Sequence, residues 1–369
     1  VNDDETHNYF YEKIDLYSTP GFRLLINESV DSFIVYMQIH HSAGDATAGT
    51  QLMESILSSY QYGKEIPIKP EKSRQLIRNL YGRNVFVRKS AARGIFWANI
   101  KYNLRFMSDF FQFNAQPLRP SNPLPAIKDI NRKEAASVRK IFTSDEFCRI
   151  KSNASGLGVS INDYLLTELF LCIDRWNGRK EKTSKVRIAV AVNMRPLATP
   201  GISSANIVSM VFLNRVNARL QNPDNLLSGI NTQMNIVKHK ERGLAMLFSL
   251  TLLGKIPKTM ALGVKNMGWL KCKATTVLSN LGFVYNKSDL PKDSLGRIRV
   301  RDIILDSVEL LPPIRENTLC AFGIVTYNRQ MIMTLNYDEM MLSKTDASKL
   351  LSNAVESNQL YNSKIISNR

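Results

Sequence analysis

The sequence holds four histidines, and two of them are adjacent, in His40-His41-Ser42-Ala43-Gly44-Asp45-Ala46. A neutral imidazole is the side chain best suited to take a proton from an alcohol, amine or thiol near neutral pH, which makes this pair the first candidate for general-base chemistry. Upstream, Phe22 to Asn27 and Ser32 to Ile39 are rich in Ile, Val, Leu and aromatics, and the polar run Glu28 to Asp31 lies between them. That pattern predicts two short strands joined by a turn. From Thr47 onward Leu52, Ile56, Leu57 and Tyr60 recur at helical spacing. The histidines therefore fall at a strand's exit, in a tight loop with Gly44, ahead of a helix. Alternate strand residues face opposite ways, so the two imidazoles are not expected in one cavity: one packs or hydrogen-bonds while the other does chemistry.

The string His-His-x-x-x-Asp followed by a small residue resembles the signature of the acyltransferase superfamily that includes chloramphenicol acetyltransferase, peptide-synthetase condensation domains, alcohol acetyltransferases and wax-ester synthases. The resemblance implies that His41 is the general base. It gives His40 and Asp45 a place in the motif, with Asp45 structural and paired to an arginine that holds the loop in shape. The residue after the aspartate is most often glycine in the family and is Ala46 here. Lys185 to Pro196 reads as a strand ending in Asn193-Met194-Arg195-Pro196 and looks like the segment that delivers the arginine, which makes Arg195 the expected partner. Ser204 to Leu213 resembles the next strand of the family. Thr275 to Gly282 is similar to its Ser-Asn-x-Gly segment beside the active-site tunnel, and Met331 to Asp338 is similar to its terminal strand. Four segments in the family's order extend the resemblance over nearly the whole chain. The Asp-Phe-Gly-Trp-Gly signature of the plant branch is absent.

A histidine pair alone is more often a packed or surface feature than a catalytic one, and it is the companion segments that reverse this. A metal reading is weaker, because no Cys-x-x-Cys or His-x-x-x-His spacing supplies further ligands. His7 lies in the N-terminal segment, and His239 reads as the solvated end of a helix; both are expected at the surface. Ser279 and Asn280, with Gly282, are candidates to hold a developing oxyanion or a bound carrier, since preorganised donors stabilise tetrahedral intermediates. Capping a strand explains them equally well. No Gly-x-Ser-x-Gly surrounds Ser42, so direct attack on a thioester is the more economical chemistry.

A chain of 369 residues with 44% hydrophobic residues is long enough for two cores. No apolar run approaches the ~20 residues that span a bilayer, and no signal-peptide pattern opens the sequence. Cys148, Cys172, Cys272 and Cys320 are scattered, mostly in apolar patterns, which favours reduced cysteines in a cytoplasmic protein over a disulfide framework. The family usually places a further strand and helix before the histidine motif, so the resemblance implies an incomplete leading lobe: a fragment, or a shortened variant completed by another chain.

The formal charge is +17, and Lys69 to Arg105 carries much of it, including Arg88, Lys89 and Arg93, with apolar residues such as Phe96, Trp97 and Ile100 interleaved or just beyond. A core-packed helix with a solvated basic face explains this segment. Peripheral contact with an anionic membrane surface, or with an acidic partner, is the alternative. No nucleic-acid-binding motif accompanies the charge, and nucleic acid is not expected as a partner. Positive potential also suits an anionic acyl donor, whether coenzyme A or phosphopantetheine on an acidic carrier protein.

Two domains are expected, 1–125 with the histidine motif and the basic segment, and 126–369, divided by a linker at Arg119 to Pro125. In the second, Ser137 to Phe142 reads as a strand, Ser144 as the cap of a helix running to Ala154, and Ser160 as the start of an apolar helix through Trp176. Asn222 to Lys240 and Leu244 to Leu270 read as helical. Ile303 to Leu310, Leu319 to Tyr327 and Gln330 to Tyr337 read as strands, with a helix from Thr345.

The resulting expectation is an α/β chain of two chloramphenicol-acetyltransferase-like lobes, each a mixed sheet covered by helices, with a tunnel between them. It would transfer an acyl group from a thioester to a hydroxyl or amine, with acyl-CoA or a phosphopantetheine thioester as co-substrate and no permanently bound cofactor or metal. The alternatives are a carrier-dependent condensation domain and a non-catalytic, membrane-associated relative of the fold.

Overall fold

The computed structural model describes residues 12–63, 115–122, 135–178, 185–194, 206, 208–216, 222–239, 274–314 and 318–354. Along the chain these form β1 (Phe22–Glu28), β2 (Phe33–Ile39), α1 (Ala46–Tyr62), β3 (Ala135–Ile141), α2 (Ser144–Gly156), α3 (Ile161–Asn177), β4 (Lys185–Asn193), β5 (Val208–Val216), α4 (Pro223–His239), β6 (Thr276–Phe283), β7 (Arg299–Val300), β8 (Ile303–Ile304), β9 (Cys320–Tyr327) and β10 (Gln330–Asp338). A further helix, α5, covers residues 344–354. The chain separates into two units, each discontinuous in sequence. The first comprises Val1–Lys89, Asn193–Val208 and Lys287–Asp306; the second comprises Ser90–Val192, Ser209–Asn286 and Ser307–Arg369.

In the first unit β1 and β2 pair antiparallel with Phe22 opposite Ile39 and Glu28 opposite Phe33, and the Ser29 N–H donates to the Ser32 carbonyl at 2.7 Å to close the turn. This register puts Phe22, Leu24 and Ile26 on the same face as Ile39, Met37 and Val35. Helix α1 covers the Ile39 end of that face closely: a Cβ on Gly49 would lie 2.9 Å from Ile39 Cδ1. A larger residue there would have to push the Ile39 side chain aside, so the glycine serves close contact and not conformation.

The second unit is built on a six-stranded sheet in the order β3-β10-β9-β6-β4-β5. β10 runs antiparallel to β3 and β9, while β6 runs parallel to β9 and β4. Every residue of β9 is buried, as are Leu335 and Tyr337 of β10. Continuous burial is what a central strand covered on both faces imposes, and it explains the unbroken apolar runs in the sequence. Helix α3 is buried nearly all round, through Tyr164, Leu165, Leu166, Leu169, Phe170 and Ile173. Its start is set by Ser160, whose hydroxyl accepts the Asp163 N–H at 3.2 Å. Among the described residues no single helix is long and apolar enough to cross a membrane.

Three expectations change. The cap of α2 is Thr143, not Ser144: the Thr143 hydroxyl accepts the Glu146 N–H at 3.2 Å, and the Glu146 carboxylate accepts the Thr143 N–H at 2.7 Å. That reciprocal pair is a capping box, and the bond from the Thr143 N–H holds the Glu146 carboxyl below its ordinary value. Ile303 to Leu310 is a strand only over Ile303–Ile304. Beyond it the Leu310 and Pro312 carbonyls accept from the side chains of Thr334 and Asn336, so that stretch is held to the sheet without joining its ladder.

The third change concerns the expected linker at Arg119 to Pro125, whose described part, through Asn122, is stitched to the second unit. The Arg119 N–H donates to Asn177 Oδ1 at 2.9 Å, Trp176 Nε1 donates to the Arg119 carbonyl at 3.0 Å, and Ser121 N–H donates to the Met341 carbonyl at 3.0 Å. The end of α3 and the Met341 carbonyl supply the partners its described backbone needs.

Cys172 and Cys320 are buried and unbridged, and burial pushes both thiols up to about 12; Cys148 is exposed and also unbridged. Cys272 lies outside the described residues, as do the basic segment 69–105 and the apolar region 244–270.

Candidate active site

Strand β2 ends at Ile39 because the chain then folds back on itself. The His40 N–H donates to the Gly21 carbonyl at 2.8 Å, while the N–H groups of Ala43 and Gly44 both return to the His40 carbonyl, at 2.8 and 3.2 Å. Neither histidine lies in the strand, so the alternation argument does not govern their directions. What separates them is hydrogen bonding. The His40 ring turns back into its own loop, with Nδ1 2.8 Å from Ser42 Oγ and accepting the Ser42 N–H at 3.2 Å. An Nδ1 that accepts carries no proton, which assigns the neutral His40 ring its proton on Nε2. His40 is half-buried and His41 is exposed.

Gly21 is a part of this site that the sequence did not announce. A Cβ there would lie 2.6 Å from Ala43 Cβ, so only glycine lets the lead into β1 approach the histidine turn this closely.

Asp45 follows the turn, buried to 4% exposure. It is the N-cap of α1: its extended backbone precedes the helix, its Oδ1 accepts the Ala48 N–H at 2.9 Å, and its carbonyl accepts the Gly49 N–H at 3.0 Å. The cap satisfies a helix donor that would otherwise be orphaned, and an aspartate at this end also complements the helix dipole. An aspartate followed by small residues ahead of an apolar helical pattern is the sequence signal for this role. Arg195, its expected ionic partner, lies outside the described residues; Met194 beside it is buried.

The far end of α1 is fixed as firmly. Gly63 closes the helix in the left-handed region at φ 62°, donating its N–H to the Ser59 carbonyl. The Arg301 guanidinium lies 4.8 Å from the centre of the Tyr60 ring, and the Arg301 N–H donates to Gln61 Oε1 at 2.6 Å. A rigid helix thus carries the histidine turn at its N-terminal end.

One further residue reaches the turn from far along the sequence. Asn206 Nδ2 donates to the His41 carbonyl, and Asn206 Oδ1 accepts the Val208 N–H at 3.5 Å. Asn206 belongs to the strand-like segment expected over Ser204 to Leu213, whose regular part begins at Val208.

Ser279, Asn280 and Gly282 belong to the second unit, on β6, where the pairing with β9 slips between Asn280 and Phe283. The bulge is built by Asn280: its Oδ1 accepts the Gly282 N–H at 2.8 Å, its Nδ2 donates to Asn162 Oδ1 at 3.3 Å, and Gly282 adopts φ 65°. Asn280 therefore joins β6 to the first turn of α3. Ser279 is half-buried, one residue before the bulge. Among the described residues no group of three or more His, Cys, Asp or Glu side chains is placed to hold a metal ion. His7 lies outside the described residues, and His239 is the last residue of α4.

No protein-family model matches the chain, and no curated protein sequence matches it. Solved structures do. The epimerization domain from the third module of tyrocidine synthetase B superposes with a TM-score of 0.56 at 14% identity, over 99% of this chain and 75% of that one. The NRPS cyclization-docking bidomain from Sorangium cellulosum gives 0.63 at 12% identity, over 98% and 68%. The trichothecene 15-O-acetyltransferase from Fusarium sporotrichioides gives 0.59 at 11% identity, over 93% and 70%. At these identities the likeness is one of fold alone, and the mixed α/β, chloramphenicol-acetyltransferase-like fold is the one that the histidine motif and its companion segments imply.

Proposed function

We propose that this chain is an acyltransferase that moves an acyl group from a thioester to a hydroxyl or amine, with His41 as the general base. The observation that carries the reading is the histidine turn itself. His41 is exposed in a loop braced by Gly21, Asn206 and the buried Asp45, within a fold whose solved examples include an O-acetyltransferase. A base held rigidly on a helix N-terminal loop and open to solvent meets the positional demand of the reaction. His41 takes the proton of the acceptor as its oxygen or nitrogen attacks the thioester carbonyl. The tetrahedral oxyanion collapses, the carbon–sulfur bond breaks, and the imidazolium returns the proton to the leaving thiolate.

Of the three β6 candidates for oxyanion or donor binding, Asn280 and Gly282 are engaged within the bulge and Ser279 lies one residue before it. Arg195 is assigned as the ionic partner of Asp45. No bound cofactor or metal enters the scheme; the thioester is a co-substrate.

A second reading concerns the donor. Two of the solved structures of this fold are an epimerization domain and an NRPS cyclization-docking bidomain, which favours phosphopantetheine on a carrier protein over free coenzyme A. A net charge of +17 suits an acidic carrier and speeds its encounter.

The test is thiol release from a panel of acyl-CoA thioesters and acyl-phosphopantetheine carriers with mixed alcohol and amine acceptors. Wild type is expected to release thiol in an acceptor-dependent way, and His41→Ala to lose about 100- to 10,000-fold of that rate while retaining the far-UV and thermal profile of the wild type. A folded His41→Ala protein with full turnover overturns the mechanism. Release from carriers alone decides for the second reading.

A further inference from the structure

The proposed chemistry needs the His41 imidazole at a fixed place, and a network of hydrogen bonds holds the residues around it. His40 is fixed through its N–H, its carbonyl and its ring; Ala43 and Gly44 are fixed through their N–H groups; Asp45 is fixed as the cap of α1. The His41 peptide carbonyl is taken instead by a side chain 165 residues away, the Nδ2 of Asn206. The other end of the same carboxamide accepts the Val208 N–H at 3.5 Å, at the root of β5. Both residues lie in the first unit with the histidine turn.

A carboxamide bound at both ends has little freedom about its own terminal torsion, and it restrains what it holds. The restrained group is the carbonyl of the residue to which the proton transfer is assigned. Rotation of the His41–Ser42 peptide would swing the His41 Cα–Cβ bond, and with it the ring, so a clamp on this carbonyl limits the directions available to the imidazole.

We propose that Asn206 is a positioning residue, which sets the orientation of the His41 imidazole by clamping the His41 carbonyl to the Val208 N–H. The proposal rests on the reading of His41 as the base. Asn206 touches no reacting atom in this scheme. Its contribution is to hold the near-attack arrangement, where a displacement of about 1 Å costs on the order of 100-fold in rate.

The two halves of the carboxamide can be separated by one isosteric change. Asn206→Asp keeps an oxygen that accepts the Val208 N–H but has no donor for the His41 carbonyl at neutral pH. If Asn206 only anchors the root of β5, the aspartate serves as well as the asparagine. With positioning, Asn206→Asp and Asn206→Ala both lower kcat, by about 10- to 100-fold, with the KM for the thioester unchanged and the thermal midpoint near that of the wild type. Asn206→Ala guards against a folding defect peculiar to the carboxylate.

A second readout does not depend on activity. The protein has four histidines, so selective ring labelling gives four Cε1–Hε1 signals, with His41 assigned from the loss of its peak in His41→Gln. Asn206→Asp is expected to shift or broaden the His41 signal while those of His7 and His239 stay in place. An unmoved His41 signal overturns the positioning role, and so does a moved signal with unchanged kcat. Should wild type itself show no transfer, the acyltransferase reading fails, and the His41 signal alone then decides whether Asn206 orients the ring.

Discussion

β1–β2 and β9–β10 are both antiparallel hairpins, yet β1 alternates exposed and half-buried residues while all eight residues of β9 are buried. The difference is one of surroundings. β9 lies between β10 and β6 in the six-stranded sheet and is packed on both faces, whereas β1 and β2 form a two-stranded sheet in the first unit. Two strands have marginal stability by themselves, so the first hairpin depends on α1 against its Ile39 end. The histidine turn grows from that end. The proposed chemistry thereby falls on the less buried of the two hairpins, a division that suits a loop required to stay exposed.

The largest expected effect comes from deleting the same side chain in each hairpin. Phe322 on β9 is 0% exposed and Phe33 on β2 is 42% exposed. Phe322→Ala should cost about 4 kcal/mol, because it removes a fully buried ring and leaves a cavity, and Phe33→Ala about 1 kcal/mol or less. With two units a single unfolding transition is not guaranteed, so amide hydrogen exchange in β9 and in β1 is the proper measurement. Equal losses of protection would show that the hairpins are not separately stabilised.

The contrast also explains what could be read from the sequence. β9 and β10 were legible because central strands are largely apolar runs bounded by polar residues. The same rule overextended β8: Ile303 to Leu310 has the run, but its later carbonyls bond to the side chains of Thr334 and Asn336, and no composition reports that. The cap of α2 was displaced by one residue because Thr143 and Ser144 are both good caps, and only the reciprocal bond to Glu146 chooses between them. In the site, the histidine turn was legible from its motif and its flanking elements. Gly21 and Asn206 were not. Gly21 matters through a contact with Ala43 and Asn206 through a bond spanning 165 residues, and neither leaves a local pattern.

A smaller effect separates the two roles of Asp45. As an N-cap it is replaceable by asparagine, so Asp45→Asn should leave α1 intact while Asp45→Ala costs about 1 kcal/mol of local stability. The pairing proposed with Arg195 makes the opposite demand, since asparagine carries no charge and would strand a buried cation at a cost of about 3–5 kcal/mol. Hydrogen exchange across Ala46–Tyr62 in the two variants decides. Protection that survives Asp45→Asn assigns the residue to capping alone; protection lost in both variants supports the ion pair.

The smallest effect has the opposite sign and returns to the second hairpin. The turn from β9 to β10 places both Asn328, at φ 44°, and Arg329, at φ 62°, in the left-handed region. Two consecutive residues of positive φ match the twist of a tight hairpin, and asparagine followed by glycine is the pair best suited to it. Arginine at the second position carries a Cβ that crowds the following carbonyl, a cost of roughly 1 kcal/mol that the buried ladder on either side overrides. Arg329→Gly should relieve that crowding, less the chain entropy that glycine loses on folding, for a net gain of about 0.5 kcal/mol. The gain should appear as slower exchange in β9 and β10 with no change in β1 and β2. A loss instead would mean that the exposed Arg329 side chain contributes more to the turn than its backbone strain removes.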